Sequence, residues 1–354
     1  MQWQELAVVE DAAIDYIKPM YIVIQQNNVM LMQLYAQCLT FSPSFISQAN
    51  LAHPFRVLSR FALNCMQLKL LVIGHLFRHD GVYYHFSAEV KNKQQFFAKA
   101  IEQLQKKIKN NAVFLKDLPG ELSMPFKMNT RYQAFDNDVS MQLVIPPTWT
   151  SIVDYENALT KKYAKRFRTT QKQFVGVEIK ELQIADVQQY QDRIYQLYLQ
   201  VAKNQSITFG LLNENYFPLF KQQMDDRLKM YGYFVGEKLI AFSSAIINHG
   251  AYDMNYIGFD YEYNNKLGLY FNMLFCCVNN AIIGKCHTLV LGRTALEAKA
   301  ILGCKPVPIM GYYKINNFLF AQITKRFTNR TARAQGELWM NRHPFKSENA
   351  SESV

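Results

Sequence analysis

Apolar runs bounded by turn residues alternate with stretches of helical period along most of this chain. In the second half the pattern is clean. Strands are expected at 175–182, at 231–248 as a hairpin turned at Gly236-Glu237-Lys238, at 251–260, at 287–291 and at 307–315. Helices are expected at 186–203, 213–229, 267–283 and 294–302. Thr294 stands three residues before Glu297, the spacing of a capping box, and Gly303 is placed to end that helix. The order is β-α-α-β-β-β-α-β-α-β. The first half is harder to parse. Residues 29–39 fit strand or helix, 53–64 a helix, 68–74 a buried strand and 81–90 an alternating strand. A helix follows at 94–110, with strands at 112–118 and 141–146. Pro146-Pro147 and Trp149 break the pattern. The expected division is 1–150, 151–340 and a disordered polar tail from 341 to 354. The strand–strand–helix–strand run at 68–118 echoes that at 238–291, which suggests two similar domains.

Residues 154–173 change the picture. Tyr155, Leu159, Tyr163 and Phe167 form one apolar stripe, while Lys161, Lys162, Lys165, Arg166, Arg168 and Lys172 lie elsewhere on the helix. Such a helix packs on one face and presents cations on the other. It is either a solvated surface or an anion-binding wall, in which Lys162, Lys165 and Arg166 would meet substrate phosphates or lipid headgroups.

Composition adds bounds. The 354 residues suffice for two domains, and the 49% of apolar residues for substantial cores. The formal charge of +11 suits an anionic ligand without choosing one. No apolar run reaches the ~18 residues of a membrane span, and the start lacks the layout of a targeting segment. Six cysteines with no CxxC pair read as buried thiols in a reducing cytoplasm. Cys304 reads as a small apolar residue rather than a nucleophile. His75, His79 and His85 lack a Cys partner and an HExxH pattern, so no metal is expected.

Three segments then carry a resemblance: LGRTALEAKAILGC (291–304), YNNKLGLYFNML (263–274) and YENALTKKYAKRFR (155–168). With the element order, they resemble the GNAT acyltransferase superfamily. More narrowly, they are similar to its Fem-like, peptidoglycan-biosynthesis branch of two-domain proteins. The resemblance covers the layout of 68–318, and its specific motifs lie within 140–315. It implies an α/β (α+β) fold, a mixed sheet flanked by helices, in two tandem GNAT-like domains. It also implies transfer of an acyl or aminoacyl group to an amine.

The same resemblance assigns roles. The fourth strand of the fold supplies a backbone N–H to the oxyanion, here around Tyr256 to Gly258, with Gly258 permitting a bulge. Asp253 and Glu297 are candidate bases, and Tyr312 or Tyr313 the candidate acid. Lys299 and Arg293 would bind or polarise anionic groups. The pyrophosphate loop of ordinary GNAT enzymes falls on Asn265, Lys266 and Gly268, with Arg293 and Thr294 at the next helix mouth. Asn265 replaces the usual Gln or Arg, and Tyr270 stands where a small residue is usual. The expected donor is therefore acyl-CoA bound differently, an acyl carrier protein, or an aminoacyl-tRNA. The leading expectation is an N-acyltransferase using a thioester and acting on an amine of an envelope or lipid precursor. A Fem-type aminoacyl-tRNA-dependent transferase on a peptidoglycan precursor is the second, and a non-catalytic binding protein the third. The expected location is cytoplasmic, with peripheral contact to the inner membrane face.

Overall fold

The computed structural model describes residues 2–12, 14, 16–41, 68–78, 83–204, 211–316 and 342–346. The chain forms two compact units. One comprises 1–138, 206–210 and 308–335; the other comprises 139–205, 211–307 and 336–354.

The first unit contains α1 (Gln2–Asp11), β1 (Ile17–Gln26), β2 (Val29–Phe41), β3 (Leu68–Ile73), β4 (Tyr84–Phe86), α2 (Lys93–Lys107), β5 (Ala112–Leu115) and α3 (Gly120–Met128). The next strand, β6 (Gln133–Val144), starts here and ends in the second unit. β1 and β2 pair antiparallel around Asn27 and Asn28, both left-handed, as a two-residue hairpin demands. β2 pairs antiparallel with β3 and β4, while β3 and β5 run parallel, with α2 in the crossover. Phe97, Ile101 and Leu104 of α2 pack on Leu71, Ile73, Val113 and Leu115.

The second unit continues with α4 (Ile152–Ala158), α5 (Lys161–Gln173), β7 (Glu178–Glu181), α6 (Ile184–Gln189), α7 (Gln191–Lys203) and α8 (Tyr216–Met224). Then come β8 (Leu228–Val235), β9 (Lys238–Asn248), β10 (Ala251–Phe259), α9 (Tyr261–Leu267), α10 (Leu269–Ile283), β11 (Thr288–Val290), α11 (Leu296–Ile301) and β12 (Lys305–Ile315). Its sheet runs β6-β11-β10-β9-β8-β7, antiparallel except for the parallel pair β10–β11. The mixed sheets flanked by helices are the architecture expected.

Several boundaries differ from expectation. The division falls within β6, before Pro146-Pro147, and again within β12, so the last strand is shared. The expected helix at 154–173 is two helices. Leu159 bridges to Phe345, the Thr160 N–H bonds the Pro344 carbonyl, and the Lys346 N–H bonds the Ala158 carbonyl. Residues 342–346 are thus an ordered strap on α4 rather than a disordered tail, with Phe345 against Trp149 and Tyr155. The helix expected at 267–283 is α10, and a further helix, α9, precedes it at an angle of 74° across left-handed Gly268. Among the described residues no single helix is long and apolar enough to cross a membrane. Helix 53–64, His79, Cys65 and residues 347–354 lie outside the described residues.

Candidate functional site

The second unit's parallel pair opens. β10 and β11 are in register only from Ala251–Thr288 to Asp253–Val290. Beyond that, β11 follows β6: Leu291 donates to the Met141 carbonyl and Met141 to the Gly292 carbonyl. β10 instead stays on β9, through a register shift between Met254 and Ile257. Ser244 of β9 spans the shift. Its Oγ accepts the Tyr256 N–H at 3.0 Å and donates to the Tyr256 carbonyl at 3.1 Å. Ser244 is the residue that sequence reasoning missed. Its signal was a serine pair, Ser243-Ser244, inside an otherwise apolar strand, where a hydroxyl must find a partner.

The opening tests the expected oxyanion stretch. The Tyr256 N–H is spent on Ser244, so Tyr256 itself is no oxyanion donor. The Tyr256 ring packs against Tyr198, Tyr216 and Phe217 at 5.6–6.0 Å. Gly258 does not form the bulge, since it pairs in register with Phe242. It is needed for another reason: a Cβ there would lie 2.6 Å from backbone atoms of Leu197 and Tyr198 in α7. Ile257, the first residue past the shift, pairs with Ser243. Asp253 is half-buried beside the last paired residue of β11.

The strand-to-helix stretch after β11 departs most from expectation. Ala295 is left-handed and α11 begins only at Leu296, so the capping box of Thr294 and Glu297 does not form. A helix of six residues offers no useful N-terminal field. Glu297 is instead held by Arg342, whose Nε donates to Oε1 at 2.8 Å. Arg293 is half-buried just past left-handed Gly292, and Thr294 is exposed. Lys299, expected at the surface as an anion ligand, is 1% exposed. Leu296, Lys299 and Ala300 share one helix face, and that face is turned inward. Burial lowers the Lys299 pKa to about 8, partly opposed by the Cys304 and Cys277 thiols. Burial likewise pushes Cys304 up to about 12, which suits an inert thiol.

Tyr312, the expected acid, belongs to the first unit. It pairs with Leu115 and lies in the core with Phe97 and Phe126. Adjacent Tyr313 donates to Gln133 at 2.6 Å. β12 runs on past Pro308 into the first unit, so both tyrosines belong to that unit. His75 is buried and His85 sits on the short strand β4.

The mouth of α10 is filled by the chain itself. Asn264 caps it, its Oδ1 accepting the Tyr270 N–H at 2.9 Å. The Asn272 amide donates to the carbonyls of Thr170, Leu267 and Gly268, and accepts from Gln171 at 2.9 Å. A Cβ on Gly268 would meet Gln173 Oε1 at 2.8 Å and Thr170 Cγ2 at 3.2 Å. A pyrophosphate needs those N–H groups free and backbone room around the glycine. Of these the Tyr270 N–H is taken by Asn264, so a coenzyme A pyrophosphate would have to displace that cap and the Gln173 side chain. Asn265 and Lys266 are exposed on α9, outside that filled mouth.

Cations gather instead on α5. Ala164, Phe167 and Thr170 are buried, and Phe167 meets Phe275 of α10 edge-to-face at 4.8 Å. Lys161, Lys165, Arg168 and Lys172 are spaced by four, three and four residues. They form one row about 16 Å long on a 1.5 Å rise. Lys162 and Arg166 flank it, the Arg166 guanidinium 4.7 Å over the Phe271 ring. Arg168 pairs with Glu156 at 2.8 Å. Among the described residues the other five form no ion pair.

No family model matches the chain, and no curated protein matches it. Solved structures do. The crystal structure of FemX superposes with a TM-score of 0.53 at 8% identity, covering 91% of this chain and 93% of that one. L-PGS from Bacillus licheniformis gives 0.51 at 10% identity, covering 95% and 97%. The C-terminal domain of a putative lysylphosphatidylglycerol synthetase from Agrobacterium fabrum gives 0.50 at 8%, covering 92% and 95%. At such identities the likeness is one of fold. The chain shares the fold of these structures over nearly its whole length and theirs.

Proposed function

We propose that this protein is a transferase that moves an aminoacyl group from a charged tRNA to an amine of an envelope or lipid precursor. The observation that carries this reading is the contrast between the filled α10 mouth and the unpaired cations of α5. At the usual anchor for a nucleotide thioester Asn264 already holds the Tyr270 N–H, while a row of cations faces solvent. Such a row suits a phosphate backbone, whose charges repeat at a few ångströms. The fold shared with FemX and with lysylphosphatidylglycerol synthetase domains supports the same class of chemistry.

In this reading the substrate carbonyl enters where β10 leaves β11. The acceptor nitrogen attacks the ester carbonyl, a C–N bond forms, and the C–O bond to the ribose breaks. The nitrogen loses a proton and the ribose hydroxyl gains one. Asp253, at the fork, is the candidate to take the proton, and the backbone at Ile257 the candidate oxyanion donor. Arg293 would steady an anionic part of either substrate. Lys299 acts through packing, not through the substrate.

The test is binding of aminoacyl-tRNA across a salt series, beside a thermal-shift series with acetyl-CoA and a long-chain acyl-CoA. The expected result is steeply salt-dependent tRNA binding and no midpoint rise with either thioester. A midpoint rise with acyl-CoA and salt-independent tRNA binding would replace this reading with a thioester-dependent N-acyltransferase.

A further inference from the structure

A second polar cluster lies in the first unit, at the carboxyl ends of the parallel strands β3 and β5. Gly74-His75 follows β3 and Lys116-Asp117 follows β5. Gly74 and Asp117 are both left-handed, and Gly74 lies against Tyr83 and Lys116. His75 is 2% exposed, its ring stacked with Tyr35 at 6.0 Å and Tyr83 at 6.3 Å. Gln37, also fully buried, donates to the Tyr35 hydroxyl and accepts the Leu76 N–H. The Lys116 ammonium bonds the Arg78 carbonyl and pairs with Asp117. Arg78 and Lys116 are themselves buried.

The tautomer of His75 follows from its neighbours. Nδ1 accepts the Phe77 N–H at 3.1 Å. Burial, with Lys116 and Arg78 beside the ring, holds its pKa down to about 3, so the ring is neutral. The proton is then on Nε2. That N–H is buried and has no acceptor among the described residues. Buried donors are satisfied in the great majority of cases, and an exception in a cationic cluster indicates a missing acceptor with negative charge. In open α/β sheets, the carboxyl ends of parallel strands are also where ligands bind.

We propose that this cluster is an oxyanion site, in which a carboxylate or phosphate oxygen accepts the His75 Nε2–H beside Lys116 and Arg78. The site is separate from the fork in the second unit and does not depend on the transfer reaction. It gives the first unit a recognition role toward an anionic part of a small molecule.

The test uses the full chain with 15N-labelled histidine. Sodium acetate and inorganic phosphate are titrated separately to about 50 mM, against sodium chloride at matched ionic strength. The His75 Nε2–H resonance is expected to move with one or both anions and not with chloride. Acetate alone identifies a carboxylate site, and phosphate alone a phosphate site. In thermal melts the same anion raises the wild-type midpoint. His75→Phe keeps the stacked ring, gives up the Nδ1 acceptor of the Phe77 N–H, and loses the anion-dependent rise. An unmoved resonance with both anions overturns the proposal, as does an equal rise in His75→Phe. If that variant fails to fold, the wild-type resonance decides alone.

Discussion

Each unit contains one pair of parallel strands, and the two pairs end differently. In the first unit β3 and β5 stay in register through four residue pairs, to Ile73–Leu115. Polar side chains fill the space beyond. In the second unit β10 and β11 part after three pairs, and a bulge carries β10 away. A strand can leave its neighbour only if its backbone groups find other partners and its new course is held. Ser244 supplies the partners and α7, pressed on Gly258, holds the course. The fork is therefore a built feature of the second unit, and the proposed transfer is placed there on that ground.

The strongest way to break that account is Gly258→Ala. The added methyl would collide with α7 backbone atoms, which cannot rotate away, so about 3 kcal/mol or more of stability should be lost in urea unfolding. A loss below about 0.5 kcal/mol would mean that α7 does not hold β10.

Lys299 gives the next effect, with the opposite sign. Its folded pKa is lowered to about 8 from 10.5, so the fold disfavours the protonated amine. The penalty is present in full below pH 8 and is relieved as pH rises toward 10.5. Wild-type stability should gain from this residue about 3 kcal/mol over that window. Lys299→Met, similar in volume, should be more stable at pH 7 by a like amount and lack the rise. An unchanged pH profile in the variant would show that the amine is not desolvated.

Ser244→Val should cost about 2 kcal/mol, because the Tyr256 N–H and carbonyl lose their partner inside the sheet. Transfer activity should fall by more than the unfolded fraction explains. Equal losses of activity and of folded protein would detach the bulge from the reaction. The smallest effect is Arg342→Gln. The pair with Glu297 is 29% and 37% exposed, so the loss should stay below about 1 kcal/mol.

These contrasts also show what was legible in the chain. The hairpin at Gly236 and the strands around it were readable, because a turn signal and an alternating pattern agreed. The cation row on α5 was readable for the same reason, since spacing alone separates its faces. Lys299 was misassigned although the pattern held the answer: it shares a face with Leu296 and Ala300. Charge was weighed above position. Asn272, a polar residue within an apolar run, is the residue that ties α10 to α5. Other features had no local signal. Thr294 and Glu297 have capping-box spacing, yet left-handed Ala295 delays the helix and Arg342, far along the chain, takes the carboxylate. Tyr312 and Tyr313 are adjacent aromatics, so alternation could not say which unit's core receives one.

The most direct test of the proposed donor is the salt dependence of aminoacyl-tRNA binding by the wild type and by Lys161→Gln/Lys165→Gln/Lys172→Gln. These side chains are exposed and unpaired, so the variant should melt within about 0.5 kcal/mol of wild type. If the row carries the tRNA phosphates, the slope of log K against log salt should become shallower by about 2 to 3. Affinity at low salt should fall at least tenfold. An unchanged slope and affinity in the folded variant would contradict the account, and the cations of α5 would then be only a solvated surface.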